Sequence, residues 1–171
     1  MPFKLARWTS TFSPSTVRTR AALRYSHPAD PCHSWTLKAP RKAQREYQKG
    51  YQLLLRTDVQ VAVEHLQKAI EIYPKFVAAH NALGSAYLRL GRNEQAREEF
   101  EKSSALDDHL PNSYLNLGCA ELALKQYPAA EAAFHKASEI APMDLVLTKA
   151  LVYAQFLNRD YPALLATGWT G

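Results

Sequence analysis

Two cysteines in 171 residues, Cys32 and Cys119, are too few for a disulfide framework and lack the paired spacing of a zinc site. No apolar run approaches the roughly 18 residues that a membrane-spanning helix needs. Acidic side chains are nearly missing from the first 42 positions, where eight Lys and Arg stand against Asp30 alone. The net charge of +5 therefore belongs to that segment. Residues 43–144 carry eleven basic against fourteen acidic side chains, and 145–171 add Lys149 and Arg159 against Asp160. A mildly acidic body has no basic stripe to neutralise phosphates, which excludes nucleic acid as its partner. Reactive patterns are missing too. His27, His33, His65, His80, His109 and His135 are scattered, with no HExxH, no Gly-rich phosphate loop and no Gly-x-Ser-x-Gly. No catalytic residue, metal ligand or cofactor is assigned, and the chain is read as a non-enzyme.

Glycine is also scarce, with six in the chain, yet three of them keep one interval: Gly50, Gly84 and Gly118 stand 34 residues apart. Ala62, Ala96 and Ala130 keep the same interval, as do Leu66, Phe100 and Phe134. A fixed period of this size marks a stacked-repeat protein. Leu83, Tyr87 and Leu90 share one face at helical spacing, and so do Ala96, Phe100 and Ser103. The small residues at 84, 96, 118 and 130 are expected where two helices cross closely, since a mid-helix glycine costs roughly 1 kcal/mol against alanine and packing must offset it. Pro74 and Pro142 are expected to end helices, with Asp108 in the equivalent place between them. Pro111, Pro128 and Pro162 suit first helical turns. His80 is expected to pack in the core, and His65, His135 and the run Glu98-Glu99-Glu101 to lie on solvated faces.

The motif His80-x2-Leu83-Gly84-x2-Tyr87 with Ala96-x3-Phe100, repeated as Tyr114-x2-Leu117-Gly118 with Ala130-x3-Phe134 and Pro142, resembles the tetratricopeptide repeat. A worn first copy has Gly50, Ala62, Leu66 and Pro74. The resemblance covers 43–76, 77–110 and 111–144. Tyr127-Pro128-Ala129 recurs as Tyr161-Pro162-Ala163, which makes 145–171 a partial fourth copy with Val152 in place of the glycine. The resemblance implies an all-α, right-handed superhelical solenoid of antiparallel helix pairs over 41–171. It also implies a protein–protein interaction scaffold that binds an extended peptide or a partner helix.

In such arrays the first helices line a concave face. Spacing places there Gln44, Tyr47, Gln48 and Tyr51, then Asn81, Ser85 and Arg89, then Asn112, Leu115, Asn116 and Cys119, and finally Lys149, Tyr153 and Phe156. The asparagines each donate and accept, which suits a peptide backbone. Asn116 falls where peptide-binding members of the family place a backbone-gripping asparagine. Chaperone-binding members hold a C-terminal carboxylate with a clamp of Lys, Asn and Arg. Tyr47 and Tyr51 stand in two of those places, and Asn112 and Asn116 in the third repeat, so no tight binding of acidic chaperone tails is expected.

Residues 1–40, with Pro2, Pro14, Pro28, Pro31 and Pro40, stand outside the repeat. Their basic, hydroxyl-rich, acid-poor make-up matches a mitochondrial or plastid transit peptide. The alternatives are a disordered tail or translated sequence upstream of the domain, so the location is read as cytoplasmic or mitochondrial. At the other end Leu145, Val146, Leu147, Leu151, Val152, Tyr153, Phe156 and Leu157 are apolar on nearly every side. Leu151 and Phe156 are expected on an open apolar end-face. That face points to a longer array, self-association or fold-back of the N-terminal segment. The alternative function is therefore a structural segment of a larger assembly.

Overall fold

The computed structural model describes residues 39–56 and 58–158. Residues 1–38 of the expected transit-peptide segment, Cys32 among them, and Pro162 with the second helix of the fourth repeat lie outside the described residues. Among those residues the chain is all helix: α1 (Arg41–Arg56), α2 (Val59–Ile72), α3 (Val77–Arg89), α4 (Asn93–Leu106), α5 (Pro111–Ala123), α6 (Tyr127–Ile140) and α7 (Leu145–Leu157). Each packs on the next in sequence. The first helices of successive repeats also meet, α1 with α3, α3 with α5 and α5 with α7. Close approach on that side curves the stack and makes the first helices its inner face.

The glycines explain how the two helices of a repeat touch. A Cβ on Gly84 would lie 2.6 Å from the Phe100 ring, and one on Gly118 would lie 2.5 Å from the Phe134 ring. On Gly50 it would meet Leu66 Cγ at 2.8 Å and the Ala62 carbonyl at 3.1 Å. Each glycine thus receives the side chain of the core position on its partner helix. Phe76, Phe100 and Phe134 are fully enclosed, each contributing roughly 1.5–3 kcal/mol by burial. One core runs from Leu54 to Ala154, and a second cluster of Ala39, Ala43, Ala69, Phe76 and Ala79 closes the N-terminal end.

Pro111 and Pro128 open α5 and α6, and Pro74 and Pro142 follow α2 and α6, as expected. The turns inside the second and third repeats need a left-handed residue. Gly91 has φ +74° and, one repeat later, Lys125 has φ 62°. Both close the same helix end, with Arg92 N donating to the Tyr87 carbonyl and Gln126 N to the Glu121 carbonyl, each at 2.9 Å. Glycine adopts this conformation freely and lysine does not. At the start of α7, Asp144 Oδ1 accepts from Val146 N at 2.7 Å.

Three expectations need correction. Glu99 is buried rather than solvated, because it faces His80 across the α3–α4 crossing. His65 is half-buried, held 2.7 Å from Glu46 Oε2 across the α1–α2 crossing. Leu151 is not on an open end-face: it is 5% exposed and belongs to the main core, because its side of α7 packs on α6 and α5. Phe156 is 55% exposed, and Met143, Leu145 and Val146 are exposed with it.

Candidate functional site

The inner wall is built by α1, α3, α5 and α7, and the candidate residues fare differently along it. On α1, Tyr47 is wedged between Tyr51 and Phe76, with ring centroids 6.0 and 5.1 Å away. Burial pushes its phenol up, with Tyr51 adding to the effect. Tyr47 is thus largely a packing residue, while Tyr51 stays half-buried beside it.

On α3, Asn81 is half-buried and its Nδ2 donates to Ser113 Oγ of α5 at 3.0 Å. Ser113 then donates to Ser103 Oγ at 3.0 Å, and Ser103 to the Val77 carbonyl at 3.4 Å. This buried chain ties α3, α4 and α5 together. Neither serine was singled out as a site in the sequence, where Ser103 was placed on the packing face of its helix and Ser113 was not considered. Ser85, expected to face a ligand, is buried and donates to the Asn81 carbonyl one turn back at 2.9 Å. Arg89, expected as a groove cation, is half-buried and donates to the Leu54 carbonyl at the end of α1. Both are corrections: a helix position fixes which way a side chain leaves, but not which backbone groups wait there.

On α5, Asn116 is 4% exposed and Asn112 half-buried. Leu115 and Cys119, placed on the wall by spacing, are core residues. Burial pushes the Cys119 thiol up to about 12, so it stays protonated and inert. On α7, Lys149 is exposed and Tyr153 half-buried. Two of the wall asparagines share a feature with Asn93 at the start of α4. The Oδ1 atoms of Asn81 and Asn116 are buried and accept no hydrogen bond. An unmet buried acceptor costs about 1–3 kcal/mol, so two on neighbouring first helices mark a place short of donors.

Elsewhere, Asp107, Asp108 and His109 bring three ligand-type atoms within 4.8 Å in the turn between α4 and α5. The turn uses them itself, His109 N donating to Asp107 Oδ1 and His109 Nδ1 lying 2.6 Å from Asp108 Oδ1. No helix among the described residues is long and apolar enough to cross a membrane.

Comparison with known proteins agrees with this architecture. A family model described as Tetratricopeptide repeat matches residues 76–143, and one described as TPR repeat matches 58–91. An uncharacterised protein of Methanocaldococcus jannaschii is 39% identical over 70 residues, which are 41% of this chain and 81% of that protein. Among solved structures, the first TPR of Spaghetti (RPAP3) bound to the HSP90 peptide SRMEEVD superposes with a TM-score of 0.68 at 21% identity, over 70% of this chain and 94% of that one. MamA from Desulfovibrio magneticus gives 0.68 at 18% identity, over 91% and 92%. The 34-residue glycine register, the helix pairs it builds and these matches all agree: the chain belongs to the tetratricopeptide-repeat family.

Proposed function

We propose that this chain is a protein–protein interaction scaffold that holds an extended peptide or a partner helix against its first helices. The observation that carries the reading is the pair of buried, unmet acceptors, Asn81 Oδ1 and Asn116 Oδ1. Both oxygens are buried as they stand, so their side chains must rotate outward before backbone N–H groups of an extended segment can donate to them. The peptide held by the RPAP3 domain is a precedent for the mode of binding, not for the sequence bound. In this chain Tyr47 is packed and Arg89 is engaged with Leu54, which leaves Lys149 as the exposed cation of the predicted wall.

The test starts with a photo-crosslinker placed at Asn112 of the full chain, followed by identification of the captured peptide. The affinity of that peptide is then measured for wild type and Asn116→Ala. The expected result is a loss of about tenfold, the effect of roughly 1.4 kcal/mol. Unchanged affinity with an intact fold overturns the reading.

A second reading, an assembly role, is favoured by the exposed Met143, Leu145 and Val146 at the start of α7. Leu145→Glu with Val146→Glu then abolishes association in sedimentation and leaves peptide affinity unchanged. Leu151 cannot serve in this test, because it belongs to the core.

A further inference from the structure

The α2–α3 and α4–α5 contacts are equivalent, one repeat apart, but their chemistry differs. In the first, Gln67 Nε2 donates to Tyr87 Oη at 3.0 Å. The register therefore sets these two places opposite each other across the contact, with a tyrosine spanning the gap in this copy. Thirty-four residues later the same two places hold Glu101 and Glu121. Two ionised carboxylates are acceptors only, so a donor–acceptor pair has been replaced by two acceptors.

Glu121 is 6% exposed, and its Oε2 is buried with no hydrogen-bond partner. α3, α4, α6 and α7 all pack against α5. The charged groups that act on Glu121 are Arg97 and Glu101, both from α4. Arg97 does not fill the gap. Its Nε is itself without a hydrogen bond and lies 3.6 Å from Glu101 Oε1.

We infer that Glu121 is a proton-operated joint between the second and third repeats: ionised, it leaves the α4–α5 contact one donor short, and protonated, it donates to Glu101 and closes it. The electrostatics point the same way. Burial pushes the Glu121 carboxyl up, Arg97 opposes this, and Glu101 adds to it. A carboxyl raised in the fold takes up a proton more readily there than in the unfolded chain. Stability therefore rises as pH falls through the folded-state value, and the penalty is complete above it. The joint reaches the inner wall because α5 also carries Asn112 and Asn116. Asn81 is itself tied to α5 through Ser113. The inference stands whether or not the wall binds a peptide.

The test is urea unfolding of the full chain at pH 5.0 and 7.5, for wild type and Glu121→Gln. The amide supplies the donor permanently. The variant is expected to have a severalfold smaller unfolding constant than wild type at pH 7.5, with the gap smaller at pH 5.0 and gone only below the unfolded value of about 4.3. Other titrating groups are common to both proteins and cancel in the comparison. A gap of the same size at both pH values, or a variant less stable than wild type at pH 7.5, overturns the inference. Carbon-13 titration of the Glu121 carboxyl in the wild type decides the matter independently of any variant's folding. A midpoint above the ordinary glutamate value of about 4.3 supports the joint, and one at or below it overturns the joint. Glu101→Gln should lower that midpoint, and a midpoint it leaves unmoved overturns the pairing.

Discussion

His80 Nδ1 lies 2.7 Å from Glu99 Oε2, and one repeat earlier the same two places hold the inverted pair, Glu46 Oε2 and His65 Nδ1, also 2.7 Å apart. Each glutamate is gripped further by a lysine three residues on, Lys102 at 2.7 Å and Lys49 at 3.0 Å. The two crossings thus use one charge arrangement with the partners exchanged between helices. The second is the more enclosed, and His80 Nε2 there also meets the Pro74 carbonyl at 2.8 Å.

That inversion predicts an interchangeable clip. Glu99→Ala leaves His80 Nδ1 buried without its hydrogen-bond partner and should destabilise the chain by about 1–3 kcal/mol in urea unfolding. Exchanging the pair, His80→Glu with Glu99→His, should recover most of the loss, since the first repeat already carries that orientation.

The same pair fixes a pH dependence. Burial alone would raise the Glu99 carboxyl, but the hydrogen bonds from His80 and Lys102 together outweigh it and hold the group below the usual carboxylate range. For Glu46 the hydrogen bonds from His65 and then Lys49 lower it. A depressed glutamate stabilises the fold above its unfolded value of about 4.3, and the contribution is lost as pH falls through the folded value. The stability difference between wild type and Glu99→Gln should therefore be full at pH 6 and vanish at the acid end of a urea series. This is opposite in sign to the effect of Glu121.

Glycine-to-alanine changes should rank by what the new methyl meets. Gly118→Ala and Gly84→Ala drive a Cβ into an enclosed phenyl ring. Overpacking of about 1–3 kcal/mol, less about 1 kcal/mol gained in helix propensity, leaves a net loss of up to about 2 kcal/mol. Gly50→Ala meets Leu66 Cγ at 2.8 Å and the Ala62 carbonyl at 3.1 Å, slightly longer contacts, and should cost less in thermal unfolding.

Lys125→Gly should stabilise the third repeat by about 1 kcal/mol, since it relieves a left-handed lysine at the place where the second repeat uses Gly91. Gly91→Ala should lose a similar amount. No atom lies within 4 Å of the added Cβ, so the loss is conformational. Denaturation midpoints with unchanged slopes would check both.

An acidic chaperone-tail peptide such as SRMEEVD should not bind the full chain with micromolar affinity in a fluorescence titration. The guanidinium nearest the task is engaged by Leu54, and Tyr47 is packed against Phe76. Saturable micromolar binding would overturn this expectation.

The fold was legible because helix contacts repeat with the sequence. The interval from Gly84 to Phe100 recurs from Gly50 to Leu66 and from Gly118 to Phe134, and each interval is one physical contact. The wall was legible only in outline. Spacing placed Asn81, Ser85, Arg89 and Asn116 on first helices, but it was silent on Ser113 and on the Leu54 carbonyl, which decide what two of those side chains do. Glu99 was misread because its neighbours Glu98 and Glu101 are exposed, and a run of like residues hides the one that turns inward. The register held the missing signal. Glu46 with His65 and His80 with Glu99 occupy the same two places, and opposite partners there mark a contact.

The glycine-to-ring contact also limits how such a chain can change length. Each of the three pairs is separated by 16 residues that span the turn between two helices. One residue inserted in the helical stretch after Gly84 or before Phe100 turns the ring about 100° away from its notch, because a helix advances 3.6 residues per turn. Insertions and deletions inside those helical stretches are thus opposed by the contact itself, whereas gain or loss of a whole 34-residue unit leaves every ring in its notch. Such a chain grows or shrinks by copies and not by single residues.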